Sequence, residues 1–150
     1  IERDGVWMRL ILGHAYGETS PVQVFSPIFY VHAETEAGSV FKLTDEHEER
    51  AVYVVSGEIE IDGRLFGEGD MIVLDNEASI GIRTVKPARL VMCGGAPLTG
   101  ERHIFWNFVS SRKDRIEKAK QDWQTSADAG FETSVFGLPP DESEHIPLPS

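Results

Sequence analysis

Apolar and polar positions alternate along this chain in short stretches, and glycine or proline separates one stretch from the next. Val6 to Leu12 is rich in large apolar residues and stops at Gly13. Ile28 to Val31 is apolar and aromatic, behind Pro27. Ala51 to Val55 is wholly apolar and closes at Ser56-Gly57, which fits a strand in the middle of a sandwich or barrel. Glu58 to Asp62 alternates strictly, with Ile59 and Ile61 on one face and carboxylates on the other. Asp62-Gly63 is a two-residue hairpin signal. Arg64 to Phe66 follows, then Met71 to Leu74 behind Gly69-Asp70. Ile80 to Val85 places Ile80, Ile82 and Thr84 on one face. A further run, preceded by Pro87, reaches Cys93 and ends at Gly94-Gly95, and Phe105 to Val109 is the last strand candidate. Short strands with such turns, spaced at about 8–12 residues, predict an all-β sandwich or barrel.

One helix is expected. Ser110-Ser111 offers a serine N-cap with Asp114 three residues beyond Ser111. Ile116, Ala119 and Trp123 form a stripe that would dock on the barrel. After Thr125 the pattern fails. Pro139-Pro140 and Ile146-Pro147-Leu148-Pro149 predict extended, polyproline-like chain. The expected division is a β-barrel over 1–109, a helix packed on it over 110–125, and an extended or partly disordered tail over 126–150.

Composition narrows the function classes. A chain of 150 residues can hold a core without disulfide or metal staples. It carries 14 basic and 25 acidic residues, a net charge of −11, which repels phosphate backbones and argues against direct nucleic-acid binding. The one basic cluster, Arg112, Lys113 and Arg115, sits among acids and reads as a solvated helix face. Cys93 is the only cysteine, so no intrachain disulfide can form. With no signal peptide visible, a soluble cytoplasmic protein is expected. Inside Leu90-Val91-Met92-Cys93 the thiol reads as buried and inert. No stretch approaches the roughly 20 apolar residues that span a membrane. The chain opens on Ile1 rather than Met, which suggests a fragment or a processed product.

The run from Glu49 to Leu74, with its strand end at Gly57, hairpin at Asp62-Gly63 and strand start at Gly69-Asp70, resembles the two-motif core of a cupin barrel. The spacing from Gly38 to Gly57 fits the first cupin motif, Gly-x5-His-x-His-x3-Glu-x6-Gly. Further on, Gly94-Gly95-Ala96-Pro97-Leu98 precedes Phe105-Trp106-Asn107-Phe108-Val109 and then the helical segment through Trp123. That order resembles the C-terminal domain of pirin-like proteins. The resemblance implies a double-stranded β-helix and a place as one half of a bicupin. It also implies that the family's metal site and quercetinase-type dioxygenase activity belong to the other, N-terminal half.

The ligand positions of the cupin motifs agree with a metal-free half. The two histidine positions of the first motif fall on Thr44 and Glu46, and its glutamate position on Arg50. Counting from Gly69, the proline and glycine positions of the second motif fall on Asp75 and Glu77, and its histidine position on Ile80. Only Glu46 is a good ligand, Ile80 offers no donor, and a cationic Arg50 repels a metal. No cofactor is therefore expected; the alternative is Fe, Ni, Mn or Cu, which suit an imidazole and carboxylate set. The fallback metal pair is His47 and Glu49, which share a face if 45–50 is extended. Against it stands the reading of 44–50 as a charge-dense solvated loop. Thr44, Glu46, Arg50 and Ile80 are the pocket candidates, with Glu46 and Arg50 as opposite charges at the barrel mouth.

The functional expectation is a degenerate cupin half with a structural and interaction role. Its partner would be an N-terminal cupin domain or a second copy, and Trp7, Phe25, Phe29, Tyr30 and Trp106 could supply the interface. The alternatives are a metal-dependent dioxygenase and a small-molecule-binding cupin.

Overall fold

The computed structural model describes residues 1–74, 79–132 and 135–149. Asp75 and Glu77, which carry two of the second-motif positions, lie outside the described residues. The chain divides into two compact units, Ile1–Pro97 and Leu98–Ser150.

The first unit is built of strands Glu2–Arg3 (β1), Val6–Ala15 (β2), Glu18–Thr19 (β3), Ile28–Thr35 (β4), Val40–Lys42 (β5), Glu49–Ile61 (β6), Arg64–Gly67 (β7), Met71–Leu74 (β8) and Gly81–Gly95 (β9). They pair antiparallel in the order β1-β2-β4-β9-β6-β7, with β3 on β2, β5 on β9 and β8 on β6. Inward residues from distant strands meet in one core. Val6 and Met8 of β2, Phe29 and Val31 of β4, Val52, Val54 and Ile59 of β6, and Ile82, Leu90 and Met92 of β9 are all buried there. The sheet therefore curls on itself, because a flat sheet could not bring these strands to a common interior.

The alternation read from the sequence sets the faces. Ile59 and Ile61 are buried, while Glu58 and Glu60 on the other face pair with Lys86 and Arg83 across the strand. Ile80, Ile82 and Thr84 are all buried. Asp62 and Gly63 both have positive φ, 50° and 75°, as a type I′ hairpin turn requires.

Two expected strand breaks are not breaks. Ser56-Gly57 lies inside β6, and Pro87 lies inside β9. The register explains both. Ser56 pairs with Arg89 and Glu58 with Lys86, so Gly57 faces two residues, Pro87 and Ala88. This is a β-bulge, a place where proline's missing N–H costs the ladder nothing. Gly57 has φ +89°, and a Cβ there would stand 2.2 Å from the Pro87 carbonyl oxygen. The glycine ends no strand; it makes room for the bulge.

In the second unit, His103–Phe105 (β10) and Phe108–Ser110 (β11) pair with each other. The single strand expected over 105–109 is thus a hairpin, turning at Trp106, whose φ is +50°. Helix Lys113–Asp128 (α1) starts later and ends later than expected. The expected serine cap is absent. Arg112 is the N-cap and makes no side-chain cap bond, while the Ser110 hydroxyl accepts the Arg112 N–H at 3.2 Å in a short turn. Arg112, Lys113 and Arg115 are exposed, in agreement with a solvated face.

The expected stripe organises an aromatic cluster. The Trp123 ring lies 5.1 Å from Trp106, 5.5 Å from Phe131 and 5.3 Å from Phe136, centre to centre. The chain after α1 has no regular element among the described residues, yet it is held. Trp123 Nε1–H donates to the Ile146 carbonyl at 3.2 Å, and His145 packs on Phe131. Buried Ser126 donates to the Asp122 carbonyl at 2.7 Å and accepts the Phe136 N–H. Among the described residues no helix is long and apolar enough to cross a membrane.

Candidate functional site

The polar cluster of the first unit begins where β2 meets β4. Gly13 pairs with Phe29, and a Cβ on Gly13 would lie 1.7 Å from the Ile28 carbonyl oxygen. Glycine has no Cβ and tolerates the φ of +79° found there, so the two strands can approach closely at this point. The next residue, His14, is therefore set against the start of β4. A tight turn at Tyr16-Gly17 returns the chain so that His14 pairs with Thr19.

Four polar contacts then lock His14, Glu46 and His47. His14 Nδ1 lies 2.9 Å from Thr19 Oγ1, and His14 Nε2 lies 3.4 Å from Glu46 Oε2. Glu46 Oε1 accepts the Gly17 N–H at 2.8 Å. His47 Nε2 donates to the His14 carbonyl at 2.7 Å, and its ring stacks on Phe29 with centres 4.9 Å apart. Since a carbonyl only accepts, Nε2 of His47 carries the proton. These side chains line one edge of a cleft of about 430 Å³ whose other walls include Val22, Val24 and Ile28.

The four residues singled out from the sequence do not share a cavity among those described. Glu46 lines the cleft beside His14, Arg50 lines a second hollow with Cys93, and Ile80 lines a third with Phe66. Thr44, Arg50 and Ile80 are buried, Arg50 to 3% exposure. Arg50 Nη1 donates to the Thr44 carbonyl at 3.3 Å, and the Thr44 hydroxyl lies 3.5 Å from the Glu46 N–H. The Glu46 carboxylate is directed to His14.

These donors do not fit a transition metal. A hydroxyl, a hydrocarbon and a buried guanidinium stand where imidazoles and a carboxylate would be required. The fallback pair, His47 and Glu49, lies on the loop before β6 and at its first residue. His47 is engaged by the His14 carbonyl and by Phe29, and Glu49 opens β6 as an exposed residue. Among the described residues no three His, Cys, Asp or Glu side chains gather as a metal-binding group.

Sequence reasoning missed His14, Gly17 and Thr19. They reach Glu46 only through the turn that follows β2, and nothing in their local spacing marks the meeting. Cys93 is less buried than its sequence setting implied. It is half-buried, on the outward side of β9, and burial pushes its thiol pKa up.

The outer face of the sheet carries a second feature. Directly paired residues share a face, so Val73, Ala51, Cys93 and Tyr30 form one row across β8, β6, β9 and β4. Met71, Tyr53 and Val91 form the next row, which ends on β4 at His32. Val73 is 79% exposed and Met71 55%. Of the aromatics expected at an interface, Phe25 is 95% exposed, Trp7 is partly exposed, and Phe29 is instead in the core.

An antiparallel sheet curled around one apolar core, with a hairpin at Asp62-Gly63 between its two motifs, is the cupin fold. The solved quercetin 2,3-dioxygenase from Acinetobacter baumannii superposes with a TM-score of 0.85, at 25% identity, over 100% of this chain and 49% of that one. The model of the pirin C-terminal cupin domain matches residues 30–128, and the chain belongs to that family. A pirin-like protein of Caulobacter vibrioides is 42% identical over 149 residues, 99% of this chain and 49% of that protein. A pirin-like protein of Solanum lycopersicum is 28% identical, over 89% of this chain and 47% of that protein. The chain thus spans about half the length of the curated relatives it matches.

Proposed function

We propose that this domain is the metal-free, structural half of a two-cupin protein, and that it supports a catalytic N-terminal cupin by docking against it. The observation that carries this reading is the outward apolar surface of β8, β6 and β9. Val73, Met71, Tyr53 and Val91 lie side by side there with no charged residue between them in the register. An apolar row of this kind marks an interaction surface. The occupant is a second cupin, because the relatives are about twice this chain's length and the matching family is named as a C-terminal domain. A reducing cytoplasm is the compartment consistent with a single half-exposed thiol.

The quercetinase-type reading requires metal donors that Thr44, Arg50 and Ile80 do not supply, so in this reading the chain contributes no reacting group. Its contribution is the packing that holds the other half.

The test is calorimetric titration of this chain with the half of the Caulobacter relative that it does not match. Saturable binding, weakened at least about tenfold by Val73→Lys, is expected. Sedimentation of the chain alone reads the competing occupant, a second copy. Absence of binding to the other half, with or without self-association, would overturn the proposal.

A further inference from the structure

We infer that the cleft beside the His14–Glu46 pair is a binding site for a small organic cation, with an apolar body against Val24 and Ile28 and an ammonium group on Glu46. This inference stands apart from the docking proposal, since the cleft lies among residues 13–28, 46–48 and 96–97 and not on the outer rows.

The polarity of the ligand follows from which hydrogen-bonding groups are already engaged. The Ser20 hydroxyl donates to the Ile11 carbonyl at 2.8 Å and accepts the Val22 N–H at 3.2 Å. His14 is engaged at both nitrogens, by Thr19 and by Glu46. His47 has its proton on Nε2, directed to the His14 carbonyl, so in the neutral ring Nδ1 is an acceptor. Glu46 has one hydrogen bond and one ion pair, and a carboxylate offers about four lone-pair sites. Glu48 adds a second carboxylate to the lining. The side-chain capacity that remains is therefore acceptor capacity, which suits a ligand that brings donors.

Charge points the same way. Among the described residues no lysine or arginine lines the cleft, and the chain carries −11 overall. A carboxylate ligand would meet two carboxylates and no fixed cation, whereas an ammonium would be drawn in. A neutral hydroxyl would satisfy the acceptors but lose the charge-assisted part of the bond.

Shape supplies the rest. About 430 Å³ lies within the range of small-molecule sites, and Val22, Val24, Pro27, Ile28, Ala96 and Pro97 make most of its wall apolar. Glu46 is held by Gly17 and His14 before any ligand arrives, so little ordering is left to be done on binding.

The experiment compares three probes of one size on the intact 150-residue chain by calorimetry: phenethylamine, 2-phenylethanol and phenylacetate. Phenethylamine should bind saturably, roughly at millimolar affinity or tighter, with 2-phenylethanol weaker and phenylacetate showing no binding. Glu46→Gln should weaken the amine about tenfold. Because that change could also loosen the 44–48 loop, Val24→Trp, which fills the cleft and leaves every polar contact in place, should remove binding as well. Phenylacetate binding as tightly as the amine, amine binding that survives both substitutions, or no saturation by about 10 mM amine would each overturn the inference.

Discussion

Glu46 ties the end of β2 to the segment before β6: its Oε2 lies 3.4 Å from His14 Nε2, and its Oε1 accepts the Gly17 N–H at 2.8 Å. One carboxylate thus holds the end of β2 and the turn that follows it. The His14 and Glu46 side chains are 50% and 30% exposed, so the pair itself is screened by water. His14→Ala should therefore cost no more than about 1 kcal/mol in urea unfolding. A loss near 3 kcal/mol would show that the contact carries the fold rather than the site.

Gly13→Ala should be far more damaging, although it adds one methyl group. The new Cβ would sit 1.7 Å from the Ile28 carbonyl oxygen, in a backbone with φ +79°. The strands must part, and a loss of about 3 kcal/mol or more is expected. Thermal unfolding with an unchanged midpoint would contradict the close approach of β2 and β4.

Arg50→Met tests the buried guanidinium. Methionine keeps much of the apolar length but leaves the Thr44 carbonyl without the Nη1 donor that now lies 3.3 Å away. Removing a donor from a buried acceptor costs about 1–3 kcal/mol, and chemical denaturation should show at least the lower figure. A stabilised variant would mean that water or a shifted backbone group satisfies Thr44.

Cys93 should alkylate slowly. Burial raises its pKa, so at any pH near 8 it has less thiolate than an ordinary cysteine. The rate with iodoacetamide, followed by mass spectrometry, should keep rising with pH beyond the range where free cysteine levels off. Covering the outer face with a second cupin should slow it further, because Cys93 lies in the same row as Ala51 and Val73.

Trp123→Phe keeps a ring in the aromatic cluster and removes the N–H that donates to Ile146. The segment around His145 and Ile146 should then become more sensitive to limited proteolysis, with α1 content unchanged by circular dichroism. Equal cleavage rates for both proteins would mean that the Phe131–His145 contact alone holds the tail.

The alternation of the chain was enough to reveal its fold class, because period-two patterning is a local consequence of strand geometry. Ile59 and Ile61 point inward and Asp62-Gly63 turns, as their spacing alone implies. The two-motif order from Gly38 to Leu74 was sufficient for the cupin fold, and the order from Gly94 to Trp123 was sufficient for the family. Other features are set by partners distant in sequence. Gly57 and Pro87 look like strand ends in isolation, and only their meeting across β6 and β9 makes them one bulge. Ser110 and Ser111 look like helix caps, but the β10–β11 hairpin places Arg112 there instead. The cleft depends most on such meetings. His14, Gly17 and Glu46 become neighbours only because β2 turns back at Tyr16-Gly17, close to the loop before β6. No short-range pattern encodes that contact, since it is a property of how two segments pack and not of either segment.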